Sequence, residues 1–117
     1  MNIEDFREYC LGKKGVTESF PFDQTTLVFK VMNRIFALTD TGSDFSINLK
    51  CDPRKSVDLR ERYASVRPGY HMNKKHWITV EMDPSISTRE LKEWIDHSYD
   101  LVVEKLTKKE KESLAAL

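Results

Sequence analysis

With 117 residues the chain can bury one core, but two autonomous domains would each be too small to do so comfortably. Its 19 Lys and Arg balance 19 Asp and Glu, so attraction of the whole molecule to nucleic acid or an anionic membrane is weak and any anion binding has to be local. Cys10 and Cys51 lie far apart, without paired-ligand spacing, at apolar positions of predicted elements; this reads as reduced, buried thiols in a cytoplasmic protein.

The start, Met1-Asn2-Ile3-Glu4-Asp5, is polar and acidic, and no apolar run approaches bilayer length, so neither export nor membrane insertion is expected. Asn2 caps a first amphipathic helix that carries Ile3, Phe6, Cys10 and Leu11 on one face and is stopped by Gly12 and Gly15. Phe20-Pro21-Phe22 predicts an extended entry, since proline lacks the amide donor, with both rings available to the core.

A meander of strands follows. Leu27, Phe29 and Val31 alternate with Val28 and Lys30, Asn33-Arg34 supplies a reversal, and residues 35–39 return as an apolar run. After the turn at Asp40-Thr41-Gly42-Ser43, Phe45, Ile47, Leu49 and Cys51 alternate with Ser46, Asn48 and Lys50, the period of a strand with one wet face. Asp52-Pro53 opens a short helix through Val57, Leu59 and Tyr63. Beyond Pro68-Gly69, Ile78, Val80 and Met82 alternate with Thr79 and Glu81 in a further strand. The capping box Ser87-Thr88-Arg89-Glu90 then starts the longest helix, marked by Leu91, Trp94, Ile95, Tyr99, Val102, Val103 and Leu106. The predicted fold is α+β: a small antiparallel sheet meander with helices packed on one face, in the order α-β-β-β-α-β-α, with room for a short extra strand near Val66. Residues 1–106 form the domain, and residues 107–117 are a helical or mobile tail.

The stretch of most chemical interest is residues 66–77. It sets Arg67, His71, Lys74, Lys75 and His76 between Tyr70 and Trp77, beside the Pro68-Gly69 turn signal. Lysine and arginine meet phosphates and loop aromatics stack on bases, so Arg67, Tyr70, His71, Asn73, Lys74, Lys75 and His76 are the candidate nucleic-acid or anion-binding residues. The bland alternative is a hairpin with Trp77 in the core and the lysines as its solvated edge. His71 and His76 have no adjacent carboxylate or thiol ligand, which argues against a metal site. His97 is expected at a solvated helical position. No glycine-rich phosphate loop, paired carboxylate motif or nucleophile elbow is present, so no catalytic residue, cofactor or enzyme activity is expected.

Phe20-Pro21-Phe22, Val28-Phe29-Lys30-Val31, Ile35-Phe36-Ala37-Leu38, Leu49-Lys50-Cys51-Asp52-Pro53, the run from Pro68 to Trp77 and Ser98-Tyr99 together resemble the MmcQ/YjbR family over nearly the whole chain. The resemblance implies a compact α+β domain of the double-wing type, commonly labelled DNA-binding. DNA is therefore the leading expected partner, with low affinity and weak sequence preference, since the chain is neutral and lacks a recognition-helix signature or basic arm. The other expectation is a protein- or small-ligand-interaction module that uses the outer sheet face, lined by Thr26, Val28, Lys30, Ser46, Asn48, Lys50, Thr79 and Glu81.

Overall fold

The computed structural model describes residues 1–69 and 72–117. Helix α1 (Ile3–Leu11) starts where the Asn2 side chain accepts the Asp5 amide at 2.8 Å, and it buries Phe6 and Cys10, which lie one turn apart. Six strands follow: β1 (Val16–Ser19), β2 (Thr26–Val31), β3 (Arg34–Asp40), β4 (Ser46–Lys50), β5 (Val66–Pro68) and β6 (Trp77–Glu81). They form one sheet in the order β1-β2-β3-β4-β6-β5, with every neighbouring pair antiparallel. The remaining helices are α2 (Pro53–Arg62), α3 (Thr88–Glu104) and α4 (Lys108–Ala115).

Period-two alternation divides the sheet into two faces. Leu27, Phe29, Val31, Ile47, Leu49, Ile78 and Val80 point to the helices, where Phe6 and Cys10 of α1, Leu59 of α2, Leu91, Trp94, Ile95 and Val102 of α3 and Leu114 of α4 complete one core. The protein is thus a small α+β domain with an open antiparallel sheet and its helices on one side. The β2–β3 register shifts so that Phe29 faces Ala37 and Lys30 faces Ile35; Phe36 is the extra residue of a bulge, and both Phe36 and Ala37 are buried in the helix-side core.

Several expectations need correcting. Strand β1 was absent from the predicted order. Val16-Thr17-Glu18-Ser19 has little apolar pattern of its own and is held by register with β2 and by the Arg7–Glu18 ion pair to α1 at 2.5 Å. The reversal between β2 and β3 uses Met32 and Asn33, with φ of 50° and 65°, rather than Asn33-Arg34; two consecutive left-handed residues match the twist of a two-residue hairpin.

Phe20 and Phe22 do not enter the core. They are 49% and 64% exposed, because the space under β1 and β2 is already filled by Phe6 and Phe29, edge to face at 5.4 Å. The tail forms α4, with a reciprocal capping box between Thr107 and Glu110, a 3.0 Å ion pair from Glu110 to Arg34, and Leu114 in the core. No helix among the described residues is long and apolar enough to cross a membrane.

Candidate functional site

The outer face of the sheet carries a second, smaller apolar cluster: Val28, Leu38 and Trp77, with Ile35 and Met72 packed against it. Trp77 is therefore buried as expected, but on the side away from the helices. It shares its face with Thr79 and Glu81 and lies opposite Lys50 in the β4–β6 ladder. Val28, expected on a wet face, is fully buried by the same cluster.

Beside this cluster the outer face is hollowed into a cleft of about 620 Å³. Its floor is polar: Thr26 from β2, Ser46 and Asn48 from β4, and Thr79 from β6. Apolar contributions come from Phe22, Leu38 and Met72, and charged ones from Asp23, Asp40 and Arg67. Each wall is set by local geometry. Asp23 folds the β1–β2 connection back by accepting the Thr25 and Thr26 amides at 2.9 and 2.6 Å, bonds that hold its carboxyl below the usual carboxylate range. The Thr25 carbonyl accepts the Thr41 amide at 2.7 Å and the Thr41 hydroxyl at 2.8 Å, tying that connection to the turn after β3. Asp40 closes the turn by accepting the Gly42 amide at 2.8 Å. On the floor, the Thr79 hydroxyl donates to Asn48 Oδ1 at 2.6 Å.

The predicted basic segment is divided between different surroundings. Arg67 stands on the edge strand β5, opposite Thr79, and lines the cleft, while its guanidinium pairs with Glu81. Tyr70 and His71 lie outside the described residues. Asn73, Lys74, Lys75 and His76 are exposed in the approach to β6. Asn73 organises that approach: its side-chain oxygen accepts the Lys75 amide at 2.9 Å and its carbonyl accepts the His76 amide at 3.1 Å. The His76 carbonyl accepts the Cys51 amide at 2.8 Å, anchoring the segment to the end of β4. Sequence reasoning thus named the cleft floor and Arg67, but not the walls formed by Phe22, Leu38, Asp40 and Met72. The one signal for Phe22 was its place in Phe20-Pro21-Phe22, where the proline marks a connection rather than a strand interior.

The other titratable candidates are structural. His97 is half-buried on α3, and its Nε2 accepts the Asp52 amide at 3.2 Å at the start of α2, so it is not the solvated residue expected. Burial, with Lys55 nearby, lowers its pKa. Cys10 and Cys51 are both buried free thiols, and burial pushes their pKa values up to about 12 and about 11.

A family model described as YjbR matches residues 11–101. The chain is 44% identical over 109 residues to the uncharacterized protein YbdF of Escherichia coli O157:H7, covering 92% of this chain and 88% of that one. It is 30% identical to the uncharacterized protein YjbR of Escherichia coli K12, over the full length of both. Among solved structures, a Deinococcus radiodurans protein with a DUF419 domain superimposes with a TM-score of 0.92 at 41% identity, covering 97% of this chain and 88% of that one. A Pseudomonas syringae protein follows with a TM-score of 0.74 at 27% identity, covering 86% and 98%. The chain belongs to the YjbR family.

Proposed function

We propose that the protein is a non-catalytic binding module, acting in the reducing cytoplasm where Cys10 and Cys51 stay thiols, whose cleft on the outer sheet face takes a small molecule. The observation that carries this reading is the cleft itself. Its volume of about 620 Å³ lies in the range of small-ligand sites, and it combines apolar walls with a few convergent polar groups. Its walls are braced by the Asp23, Thr41 and Asp40 hydrogen bonds rather than left to mobile side chains. The test is a fragment titration of the full chain followed by amide chemical shifts. Perturbations centred on Thr26, Leu38, Asn48 and Thr79 are expected, and a fragment set that leaves all four unmoved overturns the reading.

A second reading, DNA held by the approach to β6, draws on the exposure of Asn73, Lys74, Lys75 and His76 in succession, with Lys50 opposite Trp77 at the same end of the sheet. It predicts duplex or single-stranded DNA binding that falls steeply with salt and is lost in Lys74→Glu/Lys75→Glu, because cation–phosphate contacts release counterions. Unchanged DNA binding in the double variant would remove these residues from the interface, and no binding at low salt would remove the reading.

A further inference from the structure

The polar groups of the cleft differ in how far the protein itself already satisfies them. Asp23 Oδ1 accepts two backbone amides and its Oδ2 the Thr26 hydroxyl at 3.0 Å, Asp40 accepts the Gly42 amide, and Arg67 is paired with Glu81. Asn48 is different. It is only 7% exposed, and its oxygen is taken by the Thr79 hydroxyl, yet among the described residues no group accepts a hydrogen bond from its Nδ2. Among the described residues, then, the Nδ2 donors of this largely buried carboxamide face the open cleft rather than a protein partner, which makes them a recognition point for an acceptor. Ser46 adds a hydroxyl beside it, and the Phe22 ring, 64% exposed, stands in the wall with Leu38 and Met72.

Given the reading of the cleft as a binding site, on which this rests, we propose that its ligand is a nucleoside. The uncharged heterocyclic base is read along its edge by the Asn48 carboxamide and rests against Phe22 and Met72. The Asn48 Nδ2 donor suits an acceptor on a base edge, a ring nitrogen or a carbonyl oxygen, and an aromatic side chain offers its face for stacking. The volume exceeds what one ring fills and leaves room for a sugar, for which Ser46 provides a hydroxyl partner. Charge selects against a nucleotide. Asp23 and Asp40 stand in the walls, and Arg67, the one cation there among the described residues, is paired with Glu81, so a phosphate would meet net repulsion.

The test is an amide-shift titration of the full chain with adenosine, uridine, AMP and benzoate, repeated with Asn48→Ala and Phe22→Ser. Adenosine or uridine is expected to shift the outer-face amides of β2, β4 and β6. Affinity should weaken about tenfold in Asn48→Ala, as for one lost buried hydrogen bond, and about tenfold in Phe22→Ser, as for one lost stacking surface. AMP should bind more weakly than adenosine. Phe22 is exposed, so its variant keeps the test readable if Asn48→Ala fails to fold. Benzoate shifting the cleft while both nucleosides leave it unmoved would overturn the nucleoside assignment and keep the binding site; so would AMP binding more tightly than adenosine. Nucleoside affinity unchanged in both variants would overturn the assignment as well, and silence from every probe would remove the binding site with it.

Discussion

The Ser98 hydroxyl on α3 donates to the Phe36 carbonyl at the β3 bulge, and the same oxygen accepts the Lys50 amide of β4 at 2.9 Å. The β3–β4 ladder runs from Thr39↔Ile47 to Ala37↔Leu49 and is interrupted where Phe36 bulges out of register. A helix side chain therefore takes up one carbonyl and one amide that the sheet leaves unmatched, and it does so in a fully buried position.

Ser98→Ala should accordingly destabilise the protein by about 2–3 kcal/mol, because it orphans a buried donor and a buried acceptor together. Urea unfolding at neutral pH measures this. A loss below about 0.5 kcal/mol, the level of an ordinary surface change, would mean that water reaches the bulge and replaces the serine.

Gly69 follows β5 at a point where a side chain has no room. A Cβ there would lie 2.7 Å from the Trp77 Cβ and 3.2 Å from the Trp77 backbone, while the Gly69 amide donates to the Trp77 carbonyl at 2.9 Å. Since backbone rather than a flexible chain end is in the way, Gly69→Ala should cost about 1–3 kcal/mol by overpacking. It should also displace Trp77 from the Val28–Leu38 cluster, which a red shift of the native tryptophan fluorescence would reveal. Trp94 in the helix-side core fluoresces as well, so Trp94→Phe in both backgrounds isolates the Trp77 signal.

Much of this arrangement was legible in the sequence where local pattern and tertiary role coincide. The alternation in residues 45–51 and 78–82 assigned Ile47, Leu49, Ile78 and Val80 to one face and Ser46, Asn48 and Thr79 to the other, so the cleft floor was named before its walls. The Ser87–Glu90 capping box marked the start of α3. What stayed hidden depends on partners distant in the chain. Parity places Trp77 with Thr79, but only the contact with Val28 and Leu38, from strands across the sheet, explains why an aromatic residue is buried on the outer side. Only the adjacent Pro21 sets Phe22 apart from Phe29, and it marks a connection without saying that the ring stays exposed. Arg67 read as an anion-binding cation because Glu81, its ion-pair partner, becomes a neighbour only when β5 pairs with β6.

His97 should make stability depend on pH. Its Nε2 accepts the Asp52 amide, which requires the neutral imidazole, and burial with Lys55 nearby lowers its pKa below the ordinary 6.5. Above that ordinary value both folded and unfolded chains carry neutral imidazole, and the contribution is fully present. As pH falls below it the unfolded chain takes up the proton first, so stability is lost until the folded pKa is passed. Unfolding free energies at pH 7.5 and 5.5 should therefore converge in His97→Ala and differ in the native chain. Equal pH slopes for the two would place the titration elsewhere.

The two thiols give a last measurable consequence, bearing on dynamics as much as on chemistry. Cys10 is fully enclosed between α1 and the sheet and Cys51 is 2% exposed, with pKa values raised to about 12 and about 11, so at pH 8 neither is a thiolate and neither touches solvent. Alkylation of the native protein by a maleimide should then wait on opening. Cys51 lies at the β4–α2 junction, held by the His76 carbonyl, so local fraying releases it before Cys10, which requires α1 to lift. Mass spectrometry over time should show Cys51 labelled first and Cys10 at the rate of global unfolding, with both fast in urea. Cys10 reacting at the rate of a free thiol in the native state would show that α1 is not held against the sheet as the Phe6–Phe29 contact requires.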